Sequence, residues 1–97
     1  MRHEIIFAPE AVRDFKALRG NERAFVRATI EIHLRFEPQK ESKSRIKRLR
    51  GMAKPQYRLR VGQIRVFYDV SEGVVEILAV VPKPDANDWL EREGEKS

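Results

Sequence analysis

Between residues 43 and 68 the chain carries nine basic side chains and no acidic one: Lys43, Arg45, Lys47, Arg48, Arg50, Lys54, Arg58, Arg60 and Arg65. Its flanks differ. Residues 1–42 hold 8 basic and 7 acidic groups, and residues 69–97 hold 3 and 8. The net charge of +5 is therefore a +9 block set in a background of −4. A solvated face normally mixes signs, and a stretch that excludes acids has the electrostatic footprint of phosphate binding. Arginine suits that task because its planar guanidinium offers a fork of donors and stays charged.

The chemistry such a block could perform is phosphate-centred. Cleaving RNA through its own 2′-hydroxyl needs a base, a stabiliser of the charge that grows on phosphorus, and an acid for the leaving oxygen. Arg58, Arg60 and Arg65 can stabilise charge, but arginine is no base. The candidate proton carriers are Lys54, Lys83, Tyr57 and Tyr68. Lys83 stands between Pro82 and Pro84, which hold it rigidly. Tyr57 and Tyr68 fall on the apolar side of their strands and read as packed aromatics. His33 lies on a helix and His3 at the terminus, so both read as structural or surface residues.

The elements that must position these groups follow from periodicity. Residues 3–8 read as a short strand. Pro9 suits the first position of a helix, with Val12, Phe15 and Leu18 on one face and Gly20 as its stop. Asn21 reads as the cap of a second helix, with Glu22 in its first turn and Val26, Ile30 and Leu34 along its buried stripe. Residues 37–44 are a polar loop. The period then changes to two. Tyr57, Leu59 and Val61 alternate with Arg58 and Arg60, Gly62-Gln63 suits a type II′ turn, and Ile64 to Val70 returns. Glu72-Gly73 is a second tight turn, and Val74 to Val81 is an apolar central strand. Residues 85–97 read as a short acidic helix or fraying tail. The expectation is an α+β fold: an antiparallel sheet with an N-terminal helical hairpin on one face, in the order β-α-α-β-β-β, as one domain over 1–97.

With Gly62-Gln63 as the loop, Val61 faces Ile64, Arg60 faces Arg65, Leu59 faces Val66 and Arg58 faces Phe67. Like charges directly opposite are destabilising, so a sequence that keeps them needs them for a polyanion. Phe67, Leu78 and Val80 would make an apolar floor beside the arginines, with Phe67 free to stack on a base. Replacing Arg60 or Arg65 by alanine should then relieve repulsion and leave stability unchanged or slightly higher.

Other classes are excluded. There is no cysteine, hence no disulfide framework, thiolate metal site or cysteine nucleophile. The two histidines show no metal-ligand spacing, and neither metal nor cofactor is expected. The longest unbroken apolar run, Ile77 to Val81, is far below a membrane span. The N-terminus lacks a signal-peptide pattern, which makes a cytoplasmic protein without membrane attachment the expectation.

Three segments together resemble the RelE/ParE superfamily of bacterial and archaeal toxins. They are Arg48-Leu49-Arg50-Gly51, the run from Tyr57 to Tyr68 (Tyr-Arg-Leu-Arg-Val-Gly-Gln-Ile-Arg-Val-Phe-Tyr), and Val75 to Val80 (Val-Glu-Ile-Leu-Ala-Val). The resemblance implies a toxin held inactive by a cognate antitoxin, usually encoded beside it. RelE-type members are ribosome-dependent mRNA endonucleases that enter the A site, and ParE-type members poison DNA gyrase.

RelE-like sites use basic residues on the second and third strands plus an arginine and a tyrosine near the C-terminus. By resemblance these positions fall at Arg58, Arg60 and Arg65, then near Lys83 or Pro84, then near Trp89 or Leu90. The expected catalytic set is Arg58, Arg60, Arg65 and Lys83. Lys47, Arg48, Arg50, Lys54, Phe67 and Trp89 are expected to bind nucleic acid. No tyrosine stands near Trp89, and arginines occupy positions that are lysines in some ribonuclease members. Charge stabilisation survives these changes and proton transfer weakens. The expected function is a RelE-like mRNA endoribonuclease that inhibits translation, working with ribosome, mRNA and antitoxin in a possible hetero-oligomer. The alternatives are a gyrase inhibitor and a toxin-fold protein that binds an antitoxin without cleaving.

Overall fold

A computed structural model describes residues 1–97. β1 (Glu4–Phe7) leads into α1 (Pro9–Ala17), with Pro9 in the first turn, where a missing N–H costs nothing. α1 stops because Leu18 and Arg19 are both extended, and α2 (Gly20–Leu34) starts at once. Gly20 therefore opens the second helix instead of ending the first. The cap is Arg19, not Asn21: the Glu22 carboxylate accepts the Arg19 backbone N–H at 3.2 Å, at the positive end of the helix dipole.

β2 (Ile46–Arg48) and β3 (Met52–Lys54) follow the polar loop, then β4 (Tyr57–Val61), β5 (Ile64–Ser71) and β6 (Val74–Pro82). One 3-10 turn (Lys83–Asp85) leads into α3 (Ala86–Glu93) and β7 (Glu95–Lys96). The main sheet has the order β1-β6-β5-β4-β2, and β3 pairs with β7. The C-terminal segment is tied down: Met52 pairs with Lys96, and the Ser97 N–H reaches the Gly51 carbonyl. β2, β3 and β7 have two or three residues each, too few for a period-two signal. The sheet is not wholly antiparallel. β1 runs parallel to β6, at the end of a long crossover that carries both helices and the other strands.

The β4–β5 register is the one read from the sequence, with Arg60 opposite Arg65 and Arg58 opposite Phe67. Gly62 takes φ +59° and no non-glycine residue has positive φ, as a type II′ turn requires. The β5–β6 register shifts once. Phe67 pairs with Ala79 and Tyr68 with Ile77, which leaves Leu78 as an extra residue. This bulge inverts part of the expected floor. Val80 turns to the helix side, while Ala79 and Val81 join Phe67.

Two cores result. The larger packs Val26, Ile30 and Leu34 of α2 against Leu59, Val66, Tyr68 and Ile77. Tyr57 and Tyr68 stack within it, and the Tyr68 hydroxyl donates to the Pro38 carbonyl at 2.6 Å. Burial holds that hydroxyl far above its ordinary pKa, so it moves no proton at neutral pH. The smaller core lies on the other face, where α3 covers Phe67, Ala79 and Val81 with Ala86 and Trp89. No helix is long and apolar enough to cross a membrane.

Candidate nucleic-acid interface

Residues paired across strands share a sheet face, with Cβ atoms about 4.5–5.5 Å apart. Lys47 pairs with Arg58, which pairs with Phe67. Two residues along, Arg60 pairs with Arg65, which pairs with Val81. Lys47, Arg58, Arg60 and Arg65 therefore stand together on the face away from α1 and α2. Arg45 supports them: its guanidinium donates to the Arg60 carbonyl at 3.0 Å, and its carbonyl accepts the Arg60 N–H. Counting back by two from Lys47 would have found Arg45.

The three arginines are held differently. Arg60 is exposed and Arg58 half-buried. Arg65 is only 6% exposed, and its Nη1 donates to the carbonyls of Gly62 (2.8 Å) and Ile64 (3.0 Å). These neutral partners fix the guanidinium without cancelling its charge. Burial, then the charge of Arg60, lowers the pKa of Arg58; burial, then Arg58 and Arg60, lowers that of Arg65. Each feels the others, which places the three charges in one field, and all stay protonated at neutral pH. Arg58 Nε is buried without a hydrogen-bond partner, an unmet donor beside an open surface. The chain's ion pairs, Glu31–Arg35 and Glu37–Lys40, lie elsewhere, so none of the nine basic groups is held in a salt bridge.

Lys83 reaches the same end of the sheet. Its backbone N–H donates to the Gln63 carbonyl at 2.7 Å, seating it against the Gly62-Gln63 turn. It follows the Ile64–Pro82 pair, one step beyond Arg65–Val81, and its side chain is exposed.

Five expected contacts take no part in the arginine cluster. Arg48 pairs with Tyr57 and so points to the opposite face. There it donates to the Gln56 carbonyl at 2.7 Å and lies 5.4 Å from the Tyr57 ring centroid, holding a strand end. Arg50 is exposed in the Arg50-Gly51 turn beside Ser97, at the other end of the sheet. Lys54 pairs with Glu95, shares a cavity with Glu93, and lies near Asp69, where its charge partly opposes the rise in pKa that burial causes. Phe67 is 0% exposed, with its ring stacked on Trp89 at 5.0 Å between centroids and 7° between planes. Trp89 is 6% exposed, and its Nε1 donates to Glu10 at 2.6 Å. Phe67 and Trp89 thus stack on each other, which corrects the expectation that either stacks on a base.

No group of histidine, aspartate and glutamate side chains is arranged as metal ligands. Burial, then Arg45, lowers the pKa of His33, which lies on the helix side of the molecule.

Residues 5–84 match the family model described as the ParE toxin of the type II toxin–antitoxin system, parDE. The fold is similar to an archaeal RelE–RelB complex from Pyrococcus horikoshii, at 26% identity and TM-score 0.69 over 86% of this chain and 97% of that one. It is also similar to a RelB–RelE antitoxin–toxin complex from Methanococcus jannaschii (24%, TM-score 0.65, 87% and 96%). A third similar structure is the toxin–antitoxin complex RelBE2 from Mycobacterium tuberculosis (24%, TM-score 0.65, 84% and 99%). No curated protein matches the chain.

Proposed function

The chain belongs to the ParE toxin family of type II toxin–antitoxin systems, within the RelE/ParE superfamily, and from that premise we propose that it is a RelE-like, ribosome-dependent mRNA endoribonuclease neutralised by a cognate antitoxin. The observation that supports this reading is the convergence of Arg58, Arg60 and Arg65 on one open face without a carboxylate partner. Arg60 and Arg58 grip the scissile phosphate, with Arg58 Nε as a donor awaiting an acceptor. Arg65, fixed by two carbonyls, holds the field that stabilises negative charge on the five-coordinate phosphorus. Lys47 lies on the same face and carries a neighbouring phosphate.

The 2′-oxygen attacks phosphorus and the 5′-oxygen leaves, giving a cyclic phosphate and a 5′-hydroxyl. Lys83, exposed at the same end, protonates the leaving oxygen, and the 2′-hydroxyl proton passes to water or ribosomal RNA. Primer-extension mapping of mRNA after induction tests the reading. Codon-phased cuts are expected; intact mRNA with continuing translation would overturn it.

A second reading, a gyrase inhibitor, is favoured by one observation: Tyr68 and Trp89 are locked in the interior, which leaves only the ammonium groups of Lys47 and Lys83 as proton carriers near the arginines. That reading predicts stalled supercoiling and cleaved chromosomal DNA with intact mRNA.

A further inference from the structure

Stacking on a base needs an aromatic face in reach of water, and packing takes that face from most of the rings in this chain. Tyr57, Phe67, Tyr68 and Trp89 are buried, and Phe7 and Phe15 pack on the main core. Phe25 and Phe36 of α2 are left, 51% and 57% exposed.

Their surroundings differ. Phe36 shares a cavity with the carboxylates of Glu37 and Glu41, which repel a phosphate strand. Phe25 stands at the turn end of the sheet. The Cε2 edge of its ring lies 3.6 Å from the place a Cβ would take on Gly62. That turn separates Arg60 from Arg65 and carries Lys83. The Gly62 carbonyl accepts from Arg65 Nη1 at 2.8 Å, and the Gln63 carbonyl accepts the Lys83 N–H at 2.7 Å. Gly62 thus touches the ring on one side and the buried guanidinium on the other. The ring stands within about 10 Å of that guanidinium, because the backbone of one residue, with bonds of about 1.2–1.5 Å, is all that lies between. A phosphate and a neighbouring base of one unstacked strand span that distance.

The local sequence keeps the ring open. On a helix, the neighbours of residue 25 stand three and four positions away. Asn21 and Ala28 are small. The Glu22 carboxylate is bound to the Arg19 N–H, and the Thr29 hydroxyl to the Phe25 carbonyl at 2.8 Å. Side chains on a helix lean toward its N-terminus, and the N-terminal end of α2 is the end at the turn, where Glu22 shares a cavity with Gln63. The ring therefore rests on the turn with half of the residue in water.

We propose that Phe25 is a stacking platform for a nucleobase, set beside the phosphate that Arg60 and Arg65 hold. The subsite rests on the RNA reading above and adds a base contact to it. It takes any base, because every base has a π-face. It obliges the strand to bend over the Gly62-Gln63 turn, from the arginine face to α2, with one base splayed out of its stack.

The test uses the full chain and a single-stranded RNA of about ten nucleotides, 2′-O-methylated so that it is not cut, with 2-aminopurine at one position and a dye at its end. Anisotropy of the dye reads affinity, and stacking quenches the 2-aminopurine. Moving the 2-aminopurine along the strand should find a position that is quenched on binding. Phe25→Ala should lose that quenching and weaken binding at least about tenfold (about 1.4 kcal/mol). Phe25→Leu, which still covers Gly62 but has no π-face, should match Phe25→Ala, and Phe25→Trp should restore both signals. Phe36→Ala should change neither. Full affinity and quenching in Phe25→Leu, a loss in Phe25→Trp equal to that in Phe25→Ala, or no quenched position with the unaltered chain overturns the proposal. The nuclease reading fails separately. A chain that quenches 2-aminopurine through Phe25 but cuts no mRNA sinks only the nuclease; one whose mRNA cuts and RNA affinity survive Phe25→Leu unchanged sinks only the platform.

Discussion

On the helix side of the sheet, Leu59, Val66, Tyr68 and Ile77 are shut away from water, and the polar group among them, the Tyr68 hydroxyl, has its acceptor. One residue along the same strands, on the other side, Arg58, Arg60 and Arg65 crowd together without a counter-charge. Alternation lets one strand serve both faces. β4 buries Tyr57, Leu59 and Val61 while presenting Arg58 and Arg60. The contrast separates the two kinds of work: the first face supplies stability, and the second carries repulsion the first must offset. α3 divides the second face again, covering the Phe67 end and leaving the turn end open.

The difference is sharpest where a core side chain is cut. Leu59→Ala should cost about 2–5 kcal/mol, lowering the melting temperature by ~4–8 °C for each kcal/mol. A loss under about 1 kcal/mol would mean the helix-side face is not the stabilising one.

On the other face, Arg58→Ala should weaken binding of single-stranded RNA by about 1.5–3 kcal/mol, roughly ten- to a hundredfold. The salt dependence should fall by about one phosphate contact. The melting temperature should hardly move, because Arg58 Nε has no partner to lose. Unchanged affinity would remove that face from the function.

Arg60 and Arg65 test whether that face is uniform. Arg60 is exposed, so Arg60→Ala should stay within about 0.5 kcal/mol of the parent. Arg65→Ala removes a buried stem and two hydrogen bonds and should cost about 1 kcal/mol despite the relieved repulsion. The sequence alone predicts neutrality for both; burial separates them. Equal melting temperatures would restore the simpler view.

The smallest effect concerns Asp69, at the strand end beyond both clusters. Burial raises its pKa above 3.8, while the hydrogen bond from the Gln56 N–H lowers it. The folded state therefore holds this proton more tightly than the unfolded state does. Stability falls as pH rises from 3.8 through the folded pKa, and the cost persists above it. Asp69→Asn, which keeps an oxygen acceptor, should flatten that slope by a few tenths of a kcal/mol (~0.3) in urea titrations across the acidic range. An unchanged slope would assign the dependence to other carboxylates.

Much of this was legible locally. Gly62-Gln63 sets the hairpin register, because a two-residue turn leaves its strands one pairing, and that register places Arg60 against Arg65. The helices were legible from their apolar spacing, but not their junction. Two extended residues, Leu18 and Arg19, replaced the glycine stop, since any residue can adopt that backbone. The basic block was legible as charge, and Arg58, Arg60 and Arg65 as sharing a face; which of the earlier members join them was not, because β2 is too short to show its period.

The sequence by itself determined the alternation along β4 and β5, the turn between them and the absence of acids from the block, all properties of neighbouring residues. Tertiary structure alone decided that Leu78 bulges, that Trp89 seals Phe67 from solvent, that Arg48 faces the core side, and that Phe25 stands against the Gly62 turn. Each of these depends on which distant surfaces meet. A bulge or a stacked ring is fixed by packing between segments far apart in the chain, and residue order does not encode that packing locally.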